Sequence, residues 1–158
     1  MRGASRTGPN VAAAEPVAAT AGHQNVADWL SESRDWVSPL HHLKVITASH
    51  ARDLLRDAAD IRLAARAGGP TPLSLAQDLR TTNEASTDSA AYLVLRAAQQ
   101  WSPETHHLFP RRARVWAVEV LRLGVLLSHR PMFSGEAVSF SDAWKGHVMP
   151  HAVDRQAG

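Results

Sequence analysis

Ser38-Pro39-Leu40-His41 and Thr71-Pro72-Leu73-Ser74 begin thirty-three residues apart, with Leu54-Leu55 and Ala58-Ala59-Asp60 between them. In both copies a hydroxyl residue precedes proline. The proline brings a φ already suited to the first turn of a helix, where its missing N–H costs nothing. A period of this length marks a unit that buries its apolar face only by stacking on a neighbour. The outer surface is then left for recognition, so binding is the first functional expectation and catalysis the second.

Within the first unit, Leu40 and Leu43 point inward, and Ala51, Leu54 and Leu55 form the inner face of a second short helix while Asp53 and Arg56 face water. Ala58 occupies the helix-ending position, where a positive φ suits glycine and is costly for a residue with a Cβ. Residues 62–70 form a turn that projects as a finger. The second unit opens at Thr71, its first helix running to Leu79 or Arg80. A polar stretch follows over 81–88, overlapping a helix predicted for 86–98 that carries Ala90, Leu93, Val94 and Ala97 on one face. Upstream, residues 25–37 place Val26, Trp29 and Leu30 on one helical face, as the second helix of a preceding, degenerate unit would.

These residues resemble the ankyrin-repeat family over roughly residues 25–99. Thr71-Pro72-Leu73 with Ala76 follows the family's Thr-Pro-Leu-x-x-Ala, and Ala58-Ala59-Asp60-Ile61 stands for its Gly-Ala-Asp-Val. Trp101-Ser102-Pro103, then His106-His107, then Phe109-Pro110 is similar to a segment that follows ankyrin repeats in proteins of algae and other protists. The resemblance implies an all-α fold, a short ankyrin-like helical solenoid of two to three degenerate repeats capped by C-terminal helices. It implies non-covalent recognition through the finger and the concave helix face, with His42, Lys44, Arg62 and Arg66 as partner-binding residues. It gives His41 a structural role, bridging backbone groups of adjoining turns. The implied partner is another protein, held by an intracellular, monomeric adaptor or scaffold without cofactor, metal or catalytic residues.

The remaining chain divides around that unit. Residues 1–24 are rich in Ala, Gly, Pro and Thr and cannot offset their ordering entropy by burial, so they read as a disordered tail. Arg2 and Arg6 precede the first acid, Glu15, in the manner of a transit peptide, but no amphipathic face accompanies them. Residues 100–153 read as a C-terminal helical cap and 154–158 as a disordered end. In the cap, a long helix opens at Pro110 with Trp116, Val120, Leu123 and Leu127 in one stripe, broadened by Val115, Val118, Leu121 and Val125. An apolar arc that wide predicts burial on more than one side. A last element over 141–149 is expected to end at Pro150.

Composition narrows the function classes. Of the chain, 44% is hydrophobic, enough for a core, and the formal net charge is only +2, which does not point to nucleic acid. With no cysteine there are no disulfides and no thiolate metal sites, which fits a reducing compartment. No apolar run is long enough to span a membrane. His147 and His151 are four apart, as in zinc-binding pairs, but Pro150 intervenes and no His-Glu-x-x-His pattern is present. A small metal-binding protein or hydrolase using this pair is therefore a minor alternative. Ser38, Ser74 and Ser102 lack a nucleophile-elbow pattern, and Gly68-Gly69-Pro70 is a turn rather than a phosphate loop. Arg111, Arg112 and Arg114 oppose the dipole of the long helix by a few tenths of a kcal/mol each, roughly. Their use would be an acidic partner or an ion pair with Glu104. The other alternative is a ubiquitin-ligase substrate receptor, docked through a SOCS-box-like C-terminal helix pair; the box's Leu-Pro-rich segment and cysteine are missing.

Overall fold

The computed structural model describes residues 22–155 except 83, 85 and 134, together with 14, 16, 17, 19 and 20. Among the described residues the fold is all-α, without strands. From residue 24 onward the α-helical segments are, in order, α1 (Gln24–Ser33), α2 (Ala48–Arg56), α3 (Pro72–Thr81), α4 (Ala90–Ala97), α5 (Arg111–Ser128), α6 (Ala137–Ala143) and α7 (Met149–Ala152). Tight 3-10 turns lie at Pro39–His41, His106–Leu108 and Pro131–Phe133, and a π-helical stretch, Trp144–Val148, joins α6 to α7.

The hydroxyl-proline pairs do what their chemistry requires. Ser38 Oγ accepts from Leu40 N at 3.2 Å, and Thr71 and Ser74 form a reciprocal capping box, each hydroxyl accepting from the other's backbone N–H. Ser102-Pro103 repeats the device: Ser102 N donates to Thr105 Oγ1 at 3.0 Å and Thr105 N to Ser102 Oγ at 3.3 Å. Between the first two caps, α2 ends with Ala58 at φ 64°, and Ala59 N donates back to Leu54 O at 2.9 Å, which satisfies a terminal carbonyl. Asp60 Oδ1 accepts from Arg62 N at 2.7 Å. Leu73 N donates to Ile61 O at 2.9 Å and Ala65 N to Pro70 O at 3.0 Å, so the finger is pinned at its base and closed along its length.

α2 and α3 both pack on α4. Leu40, Leu43, Ala51, Leu55, Ile61, Ala76, Leu93, Val94 and Leu108 fill the core between them. A second core gathers Trp101, Phe109, Ala113, Ala117, Val120, Met149 and Val153, where α5 meets the end of the chain's last helical run. Each fully buried Leu or Phe in these cores contributes about 1.5–3 kcal/mol.

Three sequence expectations change here. α5 is not buried on more than one side among the described residues: its covered stripe is Ala113, Ala117, Val120, Gly124 and Ser128, whereas Trp116, Leu123 and Leu126 are exposed. Gly124 leaves room in the covered stripe for the Trp144 ring, and two indoles tie α5 to the end of the chain's last helical run. Trp144 Nε1 donates to Val120 O at 3.1 Å, and Trp116 Nε1, from α5 itself, donates to Ala152 O at 2.8 Å. Pro150 does not end the last helix. It sits in the first turn of α7, after a π-helical stretch whose wider ladder, with Met149 N bonded to Trp144 O, takes up the break that proline imposes. Finally, the segment 154–158 read as a disordered end includes Arg155, which is held in place. Its Nη1 donates to Leu108 O at 2.8 Å, its Nη2 to Leu55 O at 2.7 Å, and the guanidinium lies 5.8 Å from the Phe109 ring centroid. Residues 156–158 lie outside the described ones. So does most of 1–24, although residues 14, 16, 17, 19 and 20 are helical, as an alanine-rich stretch favours.

Candidate functional site

A cleft of about 430 Å³ opens where α1, the segment 36–45 and α3 converge, a size typical of ligand sites. α1 contributes Asp28 and Trp29. The turn that follows contributes Trp36, His41, His42 and Lys44, and α3 with its exit contributes Leu75, Asp78, Leu79 and Glu84. The Ser38 cap and the 3-10 turn at Pro39–His41 separate the two adjacent histidines: His41 is buried and His42 stays half-exposed. His42 lies between two indoles, 4.6 Å from the Trp36 ring centroid, edge-on, and 5.8 Å from that of Trp29. Trp36 also stacks on His41 at 6.2 Å.

Two buried nitrogens on this cleft have no hydrogen-bond partner: Trp36 Nε1 and His41 Nε2. His41 Nδ1 lies 3.2 Å from Ser38 O, and since a carbonyl can only accept, Nδ1 carries the proton there. In the neutral ring Nε2 is then an acceptor, while the indole N–H is a donor. Leaving such a group unpaired costs about 1–3 kcal/mol. Of the bridging role implied for His41, the contact to its own turn is present, and the second is not.

Charge in the cleft is unbalanced. Asp28, Asp78 and Glu84 face one ammonium, Lys44, which is 3.0 Å from Glu84. At the rim, Arg66 Nη1 lies 3.0 Å from Asp35 Oδ2 beside Trp36. Both ion pairs are well exposed and worth about 0–1 kcal/mol. The four residues implied as partner-binding therefore do not form one surface. His42 and Lys44 share the cleft, and Arg66 flanks it through Asp35. Arg62 lines a separate cavity of about 320 Å³ with Trp101, Phe109, His151 and Arg155.

Comparison with models of protein families, with curated proteins and with solved structures finds no match.

Elsewhere the polar groups are committed to packing. Trp101 Nε1 donates to His106 Nδ1 at 3.1 Å, and the two rings meet edge to face. Burial, and then the positive field of Arg114 and His107, holds His106 below the usual imidazole range. Burial pushes the Arg155 guanidinium down to about 10, against the opposing pull of Asp60, so it remains charged at neutral pH. Glu104 is held below the usual carboxylate range by its hydrogen bond with Ser102 first, and Arg96, rather than the cluster of Arg111, Arg112 and Arg114, supplies the charge beside it. His147 and His151 are both exposed, and no group of three or more His, Asp or Glu among the described residues comes together as a metal site requires. No helix among the described residues is long and apolar enough to cross a membrane.

Sequence reasoning missed Asp28, Trp29, Trp36 and Asp78 as site residues. The clue was two tryptophans seven apart with an aspartate directly before each, Asp28-Trp29 and Asp35-Trp36, ahead of a histidine pair. Only the fold adds Asp78.

Proposed function

We propose that this chain is a non-catalytic protein–protein interaction module, an adaptor built on degenerate ankyrin-like helix pairs, and that its recognition surface is the cleft around His42 and Lys44. The observation that carries this reading is the cleft itself, where Trp29 and His42 stay partly open on short, capped helices. Aromatic groups held by a scaffold of this kind lose little entropy on binding, the usual condition for an interface anchor. The repeated caps at Ser38 and Thr71, the positive φ at Ala58 and the Leu73–Ile61 hydrogen bond support the ankyrin-like character of the pairs.

The test is affinity capture from the protein's own cells with mass spectrometry, comparing the unaltered chain with Trp29→Ala and with the pair Arg62→Glu, Arg66→Glu. The cleft reading expects Trp29→Ala to lose captured proteins while the finger variant keeps most of them. An identical captured set for all three chains, each folded by circular dichroism, sinks it.

A second reading, a ubiquitin-ligase substrate receptor docked through its C-terminal helices, is favoured by the outer face of α5. Val115, Trp116, Val118, Leu123, Val125 and Leu126 are all exposed there, the last at 68%. Apolar groups clustered in this way on one helix mark an interaction surface. Co-purification with a cullin-type complex, lost on Leu126→Asp, supports this reading; a monomer without ligase partners ends it.

A further inference from the structure

The α1–α3 cleft has a chemistry of its own, apart from its place on the scaffold. Trp29 and Trp36 present indole rings, the best aromatic acceptors of a cation, and Trp29 leaves 40% of its surface open. The Lys44 ammonium is already engaged by Glu84 at 3.0 Å. Asp28 and Asp78 make no ion pair among the described residues. Asp28 Oδ1 takes only a neutral hydrogen bond, from Gln24 Nε2 at 2.8 Å. The lining thus holds aromatic faces and two uncompensated carboxylates, a setting that attracts a cation and repels an anion. His41 Nε2, on a side chain with 1% of its surface exposed, is a lone pair without a donor, and Trp36 Nε1 is a donor without an acceptor.

We propose that this cleft seats the cationic side chain, lysine or arginine, of a partner protein. The positive end of that side chain lies against the open part of Trp29, beside His42, with Asp28 and Asp78 as counter-charges. This rests on the recognition reading above and specifies what is recognised there.

The test uses the full chain labelled with nitrogen-15, following the indole N–H resonances of Trp29 and Trp36. The probes are N-acetyl-lysine methylamide, N-acetyl-arginine methylamide, the neutral N-acetyl-norleucine methylamide, and choline. Expected are saturable shifts of both indoles with the lysine or the arginine probe and none with norleucine. Trp29→Ala and the double variant Asp28→Asn, Asp78→Asn should each weaken the response roughly tenfold or more. Trp101 and Trp144 resonances report whether a variant is still folded.

An equal response to norleucine overturns the inference, as does no response to either cationic side chain. A response to choline alone overturns it too, in favour of a small quaternary amine. Captured partners that the cationic probes do not displace leave recognition standing without this site; binding of the probes with no captured protein does the reverse.

Discussion

Replacing Gly124 by alanine sets two well-measured effects against each other. In an unobstructed helix the change stabilises by about 1 kcal/mol, because glycine loses more backbone entropy than alanine. Gly124 lies on the covered side of α5, and an added Cβ would stand 2.6 Å from both Cδ1 and Nε1 of Trp144 and 2.8 Å from its Cγ. Carbon atoms in good contact are about 3.5–4.0 Å apart, so the ring has to move by about 1 Å. The clash reaches Cγ, which lies on the χ2 axis, so turning the ring about χ2 alone cannot relieve it. Displacement also breaks the 3.1 Å bond from Trp144 Nε1 to Val120 O and disturbs the stack on Phe140 at 5.7 Å. Overpacking costs about 1–3 kcal/mol and the lost hydrogen bond about 1 kcal/mol. Net of the propensity gain, Gly124→Ala should destabilise by about 2 kcal/mol, a fall in Tm of roughly 4–8 °C for a chain of this size. Thermal unfolding by far-ultraviolet circular dichroism reads this directly. Gly146→Ala is the control, since nothing lies within 4 Å of its added Cβ, and it should be neutral or slightly stabilising. In a Trp144→Leu background, Gly124→Ala should change sign. If Gly124→Ala alone raises Tm, the close approach of Trp144 to α5 is wrong.

Ala58→Gly should raise stability by about 0.5–1 kcal/mol, because a positive φ of 64° strains a residue with a Cβ; a lower denaturant midpoint would contradict that. Arg155→Ala removes two charge-assisted hydrogen bonds and bares the carbonyls of Leu55 and Leu108, so unfolding should become easier by about 2–4 kcal/mol. Arg155→Lys, with no fork to reach both carbonyls, should recover less than half. Burial holds the folded pKa of His106 below the ordinary imidazole value of 6.5, so the unfolded chain binds the extra proton first and stability falls as pH drops through 6.5. That loss should be smaller in His106→Gln, and proton NMR should place the His106 titration below the ordinary imidazole range. A midpoint at or above 6.5 refutes the burial of the His106 ring beside Arg114.

What the sequence made legible was local chemistry. The helix starts at Pro39 and Pro72, the inward Leu40, Leu43 and Leu55, and the strain at Ala58 each follow from a few adjacent residues. Coverage was not legible in this way. Periodicity gave α5 a wide apolar arc, yet which part is covered depends on Trp144 and Met149, more than twenty residues on. Pro150 looked like a stop because the π-helical stretch before it leaves no mark in the sequence. In the cleft, the resemblance pointed to His42 and Lys44, whereas Asp78 reaches them only through the packing of α3.

The Arg155 contact also has a consequence in time. It caps Leu55 O from one hundred residues away in sequence. At about 5–20 residues per second, a nascent chain waits roughly 5–20 s between making α2 and making the side chain that closes its end. For that interval the first core must hold through α2, α3 and α4 alone, with one carbonyl open to water. A ribosome stalled before codon 155 would therefore present a repeat region that is formed but frayed, and more readily cut by protease at the α2 terminus than the released protein.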